Sequence, residues 1–214
     1  MDQLTIRQEV PADYRVVEEL TRRAFWNLYV PGCTEHYVAH ILRGHADFIP
    51  ELDLVLELGG RIIGSVMYTR AKLVDENGTE KPVLTFGPVC VEPELQRQGY
   101  GKQLLESSFE QAVRLGYDTI VIFGSPVNYV GRGFKSCKKF NVCLEGGVFP
   151  APMMVKELIP GVLDGRRWFY YQSPAMEFDE GQAEVFDQSF PPIEKGWQPS
   201  QEEFYINSNA TLGA

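Results

Sequence analysis

The sequence predicts an α/β (α+β) domain built on a mixed central sheet. Residues 119–123 form a continuous apolar run of strand length, which is typical of a central strand covered on both faces. This run follows a strand, a glycine loop and an amphipathic helix, so we expect a right-handed βαβ unit. Two hairpin turns upstream, at residues 59–60 and 76–78, add antiparallel strands beside that unit. A chain of 214 residues is long enough for one such domain.

The first part of the chain predicts a strand followed by two helices. Residues 4–9 alternate apolar and polar side chains, as a half-buried strand does. Helical periodicity extends over residues 13–27 and again over residues 35–43, on either side of the helix-breaking pair Pro31-Gly32. The predicted apolar face of the first helix consists of Val16, Val17, Leu20 and Ala24.

Three further strands surround the two hairpin turns. They cover residues 52–58, 61–72 and 83–91, which are rich in apolar side chains. Pro88 lies inside the last of them and has no N–H to donate. We therefore expect a bulge or an unpaired stretch at this position.

The helix of the βαβ unit is predicted over residues 100–115, with Gly116 as its C-cap. More short strands are expected near residues 140–144, 153–158 and 168–177. The buried stripe of the helix is predicted to consist of Leu105, Phe109, Ala112 and Val113.

The C-terminal end differs in composition from the rest of the chain. Residues 172–214 carry −7 of the net charge of −9, so the acidity says little about the ligand of the main body. Periodicity is weak beyond Phe178. We therefore predict one domain over residues 1–178 and an acidic, partly ordered extension over residues 179–214.

Composition disfavours several classes of protein. No apolar run is long enough to span a membrane, and the first residues carry no secretory signal. The four cysteines form no Cys-x-x-Cys pair, which argues against a zinc site and a disulfide framework and favours a reducing cytoplasm. The chain also lacks the long basic run of a nucleic-acid binder. We expect no metal, no membrane and no nucleic acid among its partners.

A glycine-containing loop is the strongest candidate for a binding site. It joins a strand to a helix N-terminus, whose free N–H groups suit a phosphate, and it consists of Gln96, Arg97, Gln98, Gly99, Tyr100, Gly101 and Lys102. A Walker loop is excluded because position 96 is not Gly, and a dinucleotide fingerprint because position 104 is Leu. Residues 96–140 carry a net charge of +4, which favours a phosphorylated ligand. A solvated basic face and a purely structural turn are the alternatives.

Two motifs resemble the GNAT acyltransferase superfamily. The family signature is Gln or Arg, two residues, Gly, one residue, and Gly or Ala; Gln96, Gly99 and Gly101 match it. A Tyr four residues before a Gly-Phe pair is also common in the family, and Tyr129 precedes Gly133-Phe134 in this way. The segments 50–55, 86–89 and 123–126 are similar to an uncharacterised bacterial branch of predicted N-acetyltransferases. The resemblance covers roughly residues 1–178.

The resemblance implies both a fold and a cosubstrate. The GNAT fold has a mixed sheet of about six to seven strands, splayed between two parallel strands and flanked by about four helices. Its cosubstrate is acetyl-CoA, with the pyrophosphate on the N–H groups of residues 97–102 and Gln96 in the same site. The pantetheine would pair with the strand formed by Val89, Cys90 and Val91. An N–H near Val89 is a candidate oxyanion donor.

The same resemblance implies that Tyr129 protonates the departing CoA thiolate. The competing interpretation is a core tyrosine that packs beside Phe134. Two neighbours depart from the branch: Asn128 stands where Tyr is usual, and Arg132 stands where an aromatic residue is common. These departures concern the acceptor pocket more than the cofactor site.

The group that deprotonates the amine has four candidates in segments that would border the acceptor cleft of this fold. They are Glu35, His36, Glu51 and Asp53. Each is equally a candidate surface or capping residue, and a chain of water molecules is another route for the proton. Cys90 is a candidate acyl-cysteine, but no partner His is placed beside it, and a small apolar role explains it as well.

The predicted function is a cytoplasmic, acetyl-CoA-dependent N-acetyltransferase that acts directly on a primary amine of a small molecule or a protein. Two other interpretations stay open: a non-catalytic acyl-CoA-binding sensor or interaction module, and an acyl-CoA hydrolase. Trp197 and the aromatic residues near it predict a tail that folds over the acceptor cleft or onto a second subunit, which leaves a homodimer open. The remaining alternative is a tail that only increases solubility.

Overall fold

The computed structural model describes residues 3–213, and over that range the chain forms nine strands and six α-helices. The predicted domain limits reach residues 1, 2 and 214, which lie outside the described residues. The strands are β1 (Leu4–Gln8), β2 (Leu54–Leu58), β3 (Arg61–Asp75), β4 (Glu80–Val91), β5 (Thr119–Phe123), β6 (Lys135–Ser136), β7 (Val142–Cys143), β8 (Met153–Glu157) and β9 (Trp168–Tyr171). The helices are α1 (Tyr14–Phe25), α2 (Glu35–Leu42), α3 (Tyr100–Arg114), α4 (Pro126–Tyr129), α5 (Glu180–Asp187) and α6 (Pro199–Asn209).

The strands form one mixed sheet in the order β1-β2-β3-β4-β5-β8-β6, with β9 beside the end of β3 and β7 beside β9. The pairs β4–β5 and β7–β9 are parallel, and the other pairs are antiparallel. This architecture confirms the predicted fold class. The nine described strands exceed the six to seven that the resemblance implies, and the sequence pattern indicated all of them except β6; the described helices exceed the expected number by α5 and α6, which lie beyond residue 178.

The sheet is covered by helices on both faces. In β2, Leu54 and Leu56 belong to the core under α3, whereas Val55 between them packs with α1. This alternation follows from the two-residue period of a strand. It explains why the first three residues of the strand, 54–56, are all apolar instead of alternating with polar ones.

The parallel strands β4 and β5 meet at one end only. Within the described residues their pairing is confined to Leu84 and Ile120. Beyond this contact β4 continues to Val91 and β5 to Phe123 without a shared ladder. A strand edge that loses its neighbour exposes N–H and C=O groups to an extended ligand. The divergence therefore leaves one edge of β4 free over residues 85–91.

A bulge interrupts β4 where the divergence begins. Val66 pairs with Val89 and Tyr68 with Phe86, so Gly87 and Pro88 together oppose one residue of β3. The irregularity expected at Pro88 is thereby confirmed. Its cause is the missing N–H of proline, and a bulge bends the strand that contains it.

Two predicted core positions are wrong. Val113 on α3 is 41% exposed and Val16 on α1 is 44% exposed. Successive residues of a helix are rotated by about 100°, so a residue beside a buried one lies at the flank of the apolar face. The sheet covers the opposite flank of α3, where Leu104 is fully buried.

The acidic tail packs on the outer side of α1 and α2. Arg22 of α1 is 4% exposed and makes two hydrogen bonds to the carboxylate of Asp187, at 2.6 and 3.2 Å. Phe190 is buried, and the guanidinium of Arg15 lies 3.5 Å from its ring centroid. Trp197, by contrast, is 69% exposed. Asp187 and Phe190, in contrast to this exposed tryptophan, are seated against α1.

We expect Asp187→Ala to lower the free energy of unfolding by about 1.5–3 kcal/mol, because the buried guanidinium of Arg22 loses a charged hydrogen-bond partner. Glu184→Ala is the matched control. Glu184 lies on the same helix, is exposed, and only approaches Lys195 at 3.9 Å, so its loss should cost less than about 0.5 kcal/mol. Urea unfolding of both variants measures the difference. Equal stability of the two variants would show that Asp187 does not hold the tail.

Candidate active site

A cleft of about 670 Å³ opens where β4 and β5 diverge. One side of it consists of the free edge of β4 and the glycine loop before α3. Eight of the ten residues predicted to bind the cofactor line this side: Val89, Cys90, Val91, Gln96, Arg97, Gly99, Gly101 and Lys102. The other two, Gln98 and Tyr100, belong to the same loop but not to the lining.

The glycine loop presents a helix N-terminus to the cleft. Gly99 has a φ of +93°, a left-handed conformation that favours glycine, and α3 begins at the next residue. Gly99, the N-cap residue, has no side chain with which to cap this end. The carbonyl of Gly99 accepts the N–H of Gln103 at 3.1 Å, whereas the N–H groups of the first turn have no acceptor within their helix. Such an end attracts an anion through its free N–H groups and its dipole.

Gln96 closes the loop onto the strand. Its Nε2 donates to the carbonyl of Val91 at 3.1 Å, so the last residue of β4 and the start of the loop are tied together. The side chains of Arg97 and Lys102 are exposed beside this bond. The arrangement combines an extended strand edge with a basic, N–H-rich turn, which is the shape of a site for a chain-like ligand that ends in phosphates.

Tyr129, at the end of α4, lines the same cleft. Its ring centroid lies 5.7 Å from that of Phe86 and 5.7 Å from that of Phe134. A methyl group at Gly124 would lie 2.5 Å from Cε2 of Tyr129, so only glycine leaves room for the ring there. Burial raises the pKa of Tyr129. The ring is held in place, and its hydroxyl stays protonated at neutral pH.

Glu35, the first residue of α2, lines the opposite side of the cleft. Its Oε2 accepts the N–H of Thr34 at 3.1 Å. Burial raises the pKa of the Glu35 carboxyl above its ordinary value. A carboxylate whose pKa is moved towards neutrality is a suitable acceptor for a proton at that pH.

Glu35 forms one group in the lining together with five side chains that the sequence interpretation did not name as site residues. We call it the acceptor wall, and it consists of Phe25, Leu28, Tyr29, Glu35, Val38 and Met176. Phe204 of α6 stacks on Tyr29 from behind, with ring centroids 4.6 Å apart. The helix predicted over residues 13–27 contains Phe25, but no sequence signal connects it with Leu28 or Met176.

The sequence model of the Acetyltransferase (GNAT) family matches residues 18–134. This match spans more than half of the chain and includes the second side of the cleft as well as the first. The chain belongs to the GNAT acetyltransferase family.

Among curated proteins, this GNAT chain is similar to two from Escherichia coli. The uncharacterized N-acetyltransferase YjhQ is 29% identical over 89 residues, which are 41% of this chain and 48% of YjhQ. The uncharacterized N-acetyltransferase YhbS is 29% identical over 133 residues, which are 62% of this chain and 74% of YhbS. The chain thus spans about half the length of YjhQ and about three quarters of YhbS.

Two solved structures have the same fold. The Escherichia coli YhbS structure in complex with CoA has a TM-score of 0.70 and 22% identity, and the match covers 84% of this chain and 95% of that one. A GNAT family acetyltransferase from Brucella melitensis in complex with acetyl-CoA has a TM-score of 0.64 and 22% identity, over 82% and 99% of the two chains. At 22% identity, this structural likeness establishes that the three chains share a fold.

The structure separates the four residues considered for the acceptor side of this GNAT domain. Glu35 lines the cleft, whereas His36, Glu51 and Asp53 are absent from its lining in the described part of the chain. His36 is fully buried on the other side of α2, with Nε2 3.0 Å from Oδ1 of Asp187. Burial lowers the pKa of His36 to about 4, so this imidazole is neutral and packs against the tail.

Asp53 belongs to a buried group of charges at the start of β2. It is 3% exposed, and burial and the neighbouring carboxyl of Glu9 raise its pKa well above the ordinary value. Arg43 donates two hydrogen bonds to Glu9, at 2.9 and 2.8 Å. Glu51 is exposed at the surface, where its carbonyl accepts the amide of Gln111.

We expect Asp53→Asn to stabilise the protein at alkaline pH relative to the native chain. The folded state holds the Asp53 carboxyl protonated, so the contribution of this group to the free energy of unfolding is greatest below its unfolded-state pKa of about 3.9. That contribution is lost as the pH rises towards the higher folded pKa. Asparagine carries no charge at any pH, so the variant does not lose stability in this way as the pH rises. Urea unfolding at pH 5 and pH 9, with Glu51→Gln as an exposed control, measures the effect. Equal pH dependence of Asp53→Asn and the native chain would contradict it.

Cys90, the candidate acyl-cysteine, is buried beside two hydroxyl groups. The thiol of Cys90 lies 3.6 Å from Oγ1 of Thr21 and 3.8 Å from Oγ of Ser65, and burial raises its pKa. A protonated thiol is a poor nucleophile.

Across residues 3–213 no three His, Cys, Asp or Glu side chains lie together as metal ligands would. No helix in this range is long and apolar enough to cross a membrane.

Proposed function

We propose that the protein is an acetyl-CoA-dependent N-acetyltransferase that transfers the acetyl group directly to a primary amine. The observation that carries this proposal is that one cleft contains a free strand edge, a helix N-terminus, a protonated tyrosine and a half-buried carboxylate. The CoA and acetyl-CoA complexes of the two proteins with the same fold support the choice of cosubstrate.

The residues of the cleft fit this cosubstrate. Val89, Cys90 and Val91 would hold the pantetheine through the free edge of β4, since β5 has already separated from it. The N–H groups between Arg97 and Lys102 would hold the pyrophosphate at the start of α3. Bound acetyl-CoA supplies an activated thioester.

Two side chains would move the protons of the reaction. An amine arrives at neutral pH as an ammonium ion, and Glu35 would accept its proton, either directly or through water. Tyr129 would donate its phenolic proton to the sulfur that leaves as a thiolate. An N–H of the β4 edge near Val89 would stabilise the negative charge that develops on the carbonyl oxygen.

We place the reaction in a reducing cytoplasm as part of the same proposal. Cys90, Cys137 and Cys143 are buried free thiols, and Cys33 is a half-buried one. Free thiols in this number persist in a reducing compartment.

Release of the CoA thiol tests the proposal. Purified protein is given acetyl-CoA and a panel of amines that includes a lysine peptide, and thiol is measured with and without acceptor. We expect acceptor-dependent release together with acetylated amine. Binding of CoA by calorimetry without release on any acceptor would support the non-catalytic module instead. Release that needs no acceptor would support a hydrolase.

A further inference from the structure

The acceptor wall is apolar except at the Glu35 carboxyl and the Tyr29 hydroxyl. Phe25, Leu28, Val38 and Met176 present hydrocarbon or thioether surface to the cleft. Tyr29 in the wall contacts both Phe25 and the Phe204 ring of the tail, with centroid distances of 5.8 and 4.6 Å. An apolar surface of this kind binds the apolar part of a ligand.

Glu35 is the charged member of this wall within residues 3–213. Its burial raises the pKa of the carboxyl, and the other five members of the wall carry no cationic group. The basic side chains of the cleft, Arg97, Lys102 and Arg132, come from the glycine loop and from the turn after α4. Arg132 donates to the carbonyl of Asn128 and lies close enough to Tyr129 to act on it electrostatically.

This inference rests on the proposed function. We propose that the acceptor is a primary alkylamine or arylalkylamine whose body is apolar and carries no second charge, with its ammonium group at Glu35 and its body on the acceptor wall. A carboxylate on the same body would enter a wall that has no cation, next to an anion. A second ammonium group on the body would lie against the acceptor wall without a second carboxylate to pair with it. Either charge would be desolvated without compensation.

Two pairs of amines isolate the charge on the acceptor. Phenethylamine and L-phenylalanine differ by the α-carboxylate, and hexylamine and 1,6-diaminohexane differ by the second ammonium group. We expect kcat/KM for the uncharged body to exceed that of its charged counterpart at least about tenfold in each pair, because like-charge or unpaired contacts disfavour the wrong partner. A ratio of one or less in either pair overturns the inference.

A change in the wall should reverse one of these preferences. Val38 lies one helical turn after Glu35 on the same face of α2, so Val38→Glu adds the missing second carboxylate. We expect the ratio of kcat/KM for 1,6-diaminohexane to that for hexylamine to rise at least about tenfold. Val185→Glu, at a 67% exposed position of the tail, is the matched control and should leave the ratio unchanged. An unchanged ratio in a folded Val38→Glu variant counts against the assignment, and the native panel decides the matter if that variant does not fold.

The two proposals fail in different ways. A native enzyme that acetylates the lysine peptide, L-phenylalanine or the diamine in preference to the monoamines keeps the proposed function and overturns this inference alone. Acceptor-independent thiol release, or CoA binding without any acetylation, overturns the proposed function and this inference with it. Preferential acetylation of phenethylamine and hexylamine supports both.

Discussion

Replacing Tyr129 by Phe is expected to lower kcat by about 10²–10⁴-fold, the usual contribution of a positioned general acid. The Kd for CoA should stay nearly unchanged, because the variant keeps the strand edge and the glycine loop. Phenylalanine also keeps the ring that packs on Phe86 and Phe134, so the change removes one hydroxyl and little else. Steady-state kinetics and calorimetry with CoA measure the two quantities.

Tyr171→Phe provides the matched control for this variant. The hydroxyl of Tyr171 donates to Glu145 at an exposed position on β9, away from the lining of the cleft. Its loss should leave kcat within about twofold, as surface changes usually do. Turnover of Tyr129→Phe equal to that of the control would remove Tyr129 from the mechanism and favour the interpretation of a packing tyrosine.

The βαβ unit could be predicted because each of its signals is local. The apolar run at Thr119–Phe123 and the amphipathic pattern before it need no distant residue. The bulge at Pro88 also follows from one residue, since proline lacks an N–H. A local pattern of this kind predicts the elements and their order, whereas the parting of β4 from β5 is implied only by the resemblance to the GNAT superfamily.

The acceptor side could not be predicted in the same way. Glu35 and His36 are adjacent in sequence, yet α2 turns one towards the cleft and the other towards the tail. This choice is made by the packing of α5 on α2, through Asp187, which lies 165 residues from its partner Arg22. Met176 joins the acceptor wall from a similar separation. Sequence reasoning has no access to such contacts without an independent measure of distance.

The tail illustrates the same limit. Trp197 is its most prominent apolar residue in the sequence, but it stays exposed, and Phe204 makes the contact behind Tyr29 instead. Hydrophobicity alone predicts that this tryptophan is the residue of the tail that packs against the domain. The position of α6 against the end of α1 decides the outcome, because the side-chain amide of Gln201 donates to the carbonyl of Asn27 at 3.0 Å and places the helix there.

Glu35→Gln is expected to lower kcat/KM for the amine by about 100-fold or more, since a positioned general base contributes on that scale. Burial raises the pKa of the Glu35 carboxyl, and the base acts in its deprotonated form. In the native enzyme kcat/KM should therefore rise with pH through an apparent pKa above the ordinary carboxyl value of about 4.3, and then reach a plateau. The glutamine variant should lack this acidic limb. A pH–rate profile of both proteins measures it.

Glu51→Gln separates this role from a general loss of negative charge. The same chemical change at the exposed Glu51 should keep both the rate and the acidic limb, because that side chain lies outside the lining of the cleft. If Glu35→Gln kept the limb as well, another group or a chain of water molecules would take the proton. The ammonium ion would then have lost its only carboxylate in the acceptor wall without effect, and the preference for uncharged acceptor bodies would need a different physical cause.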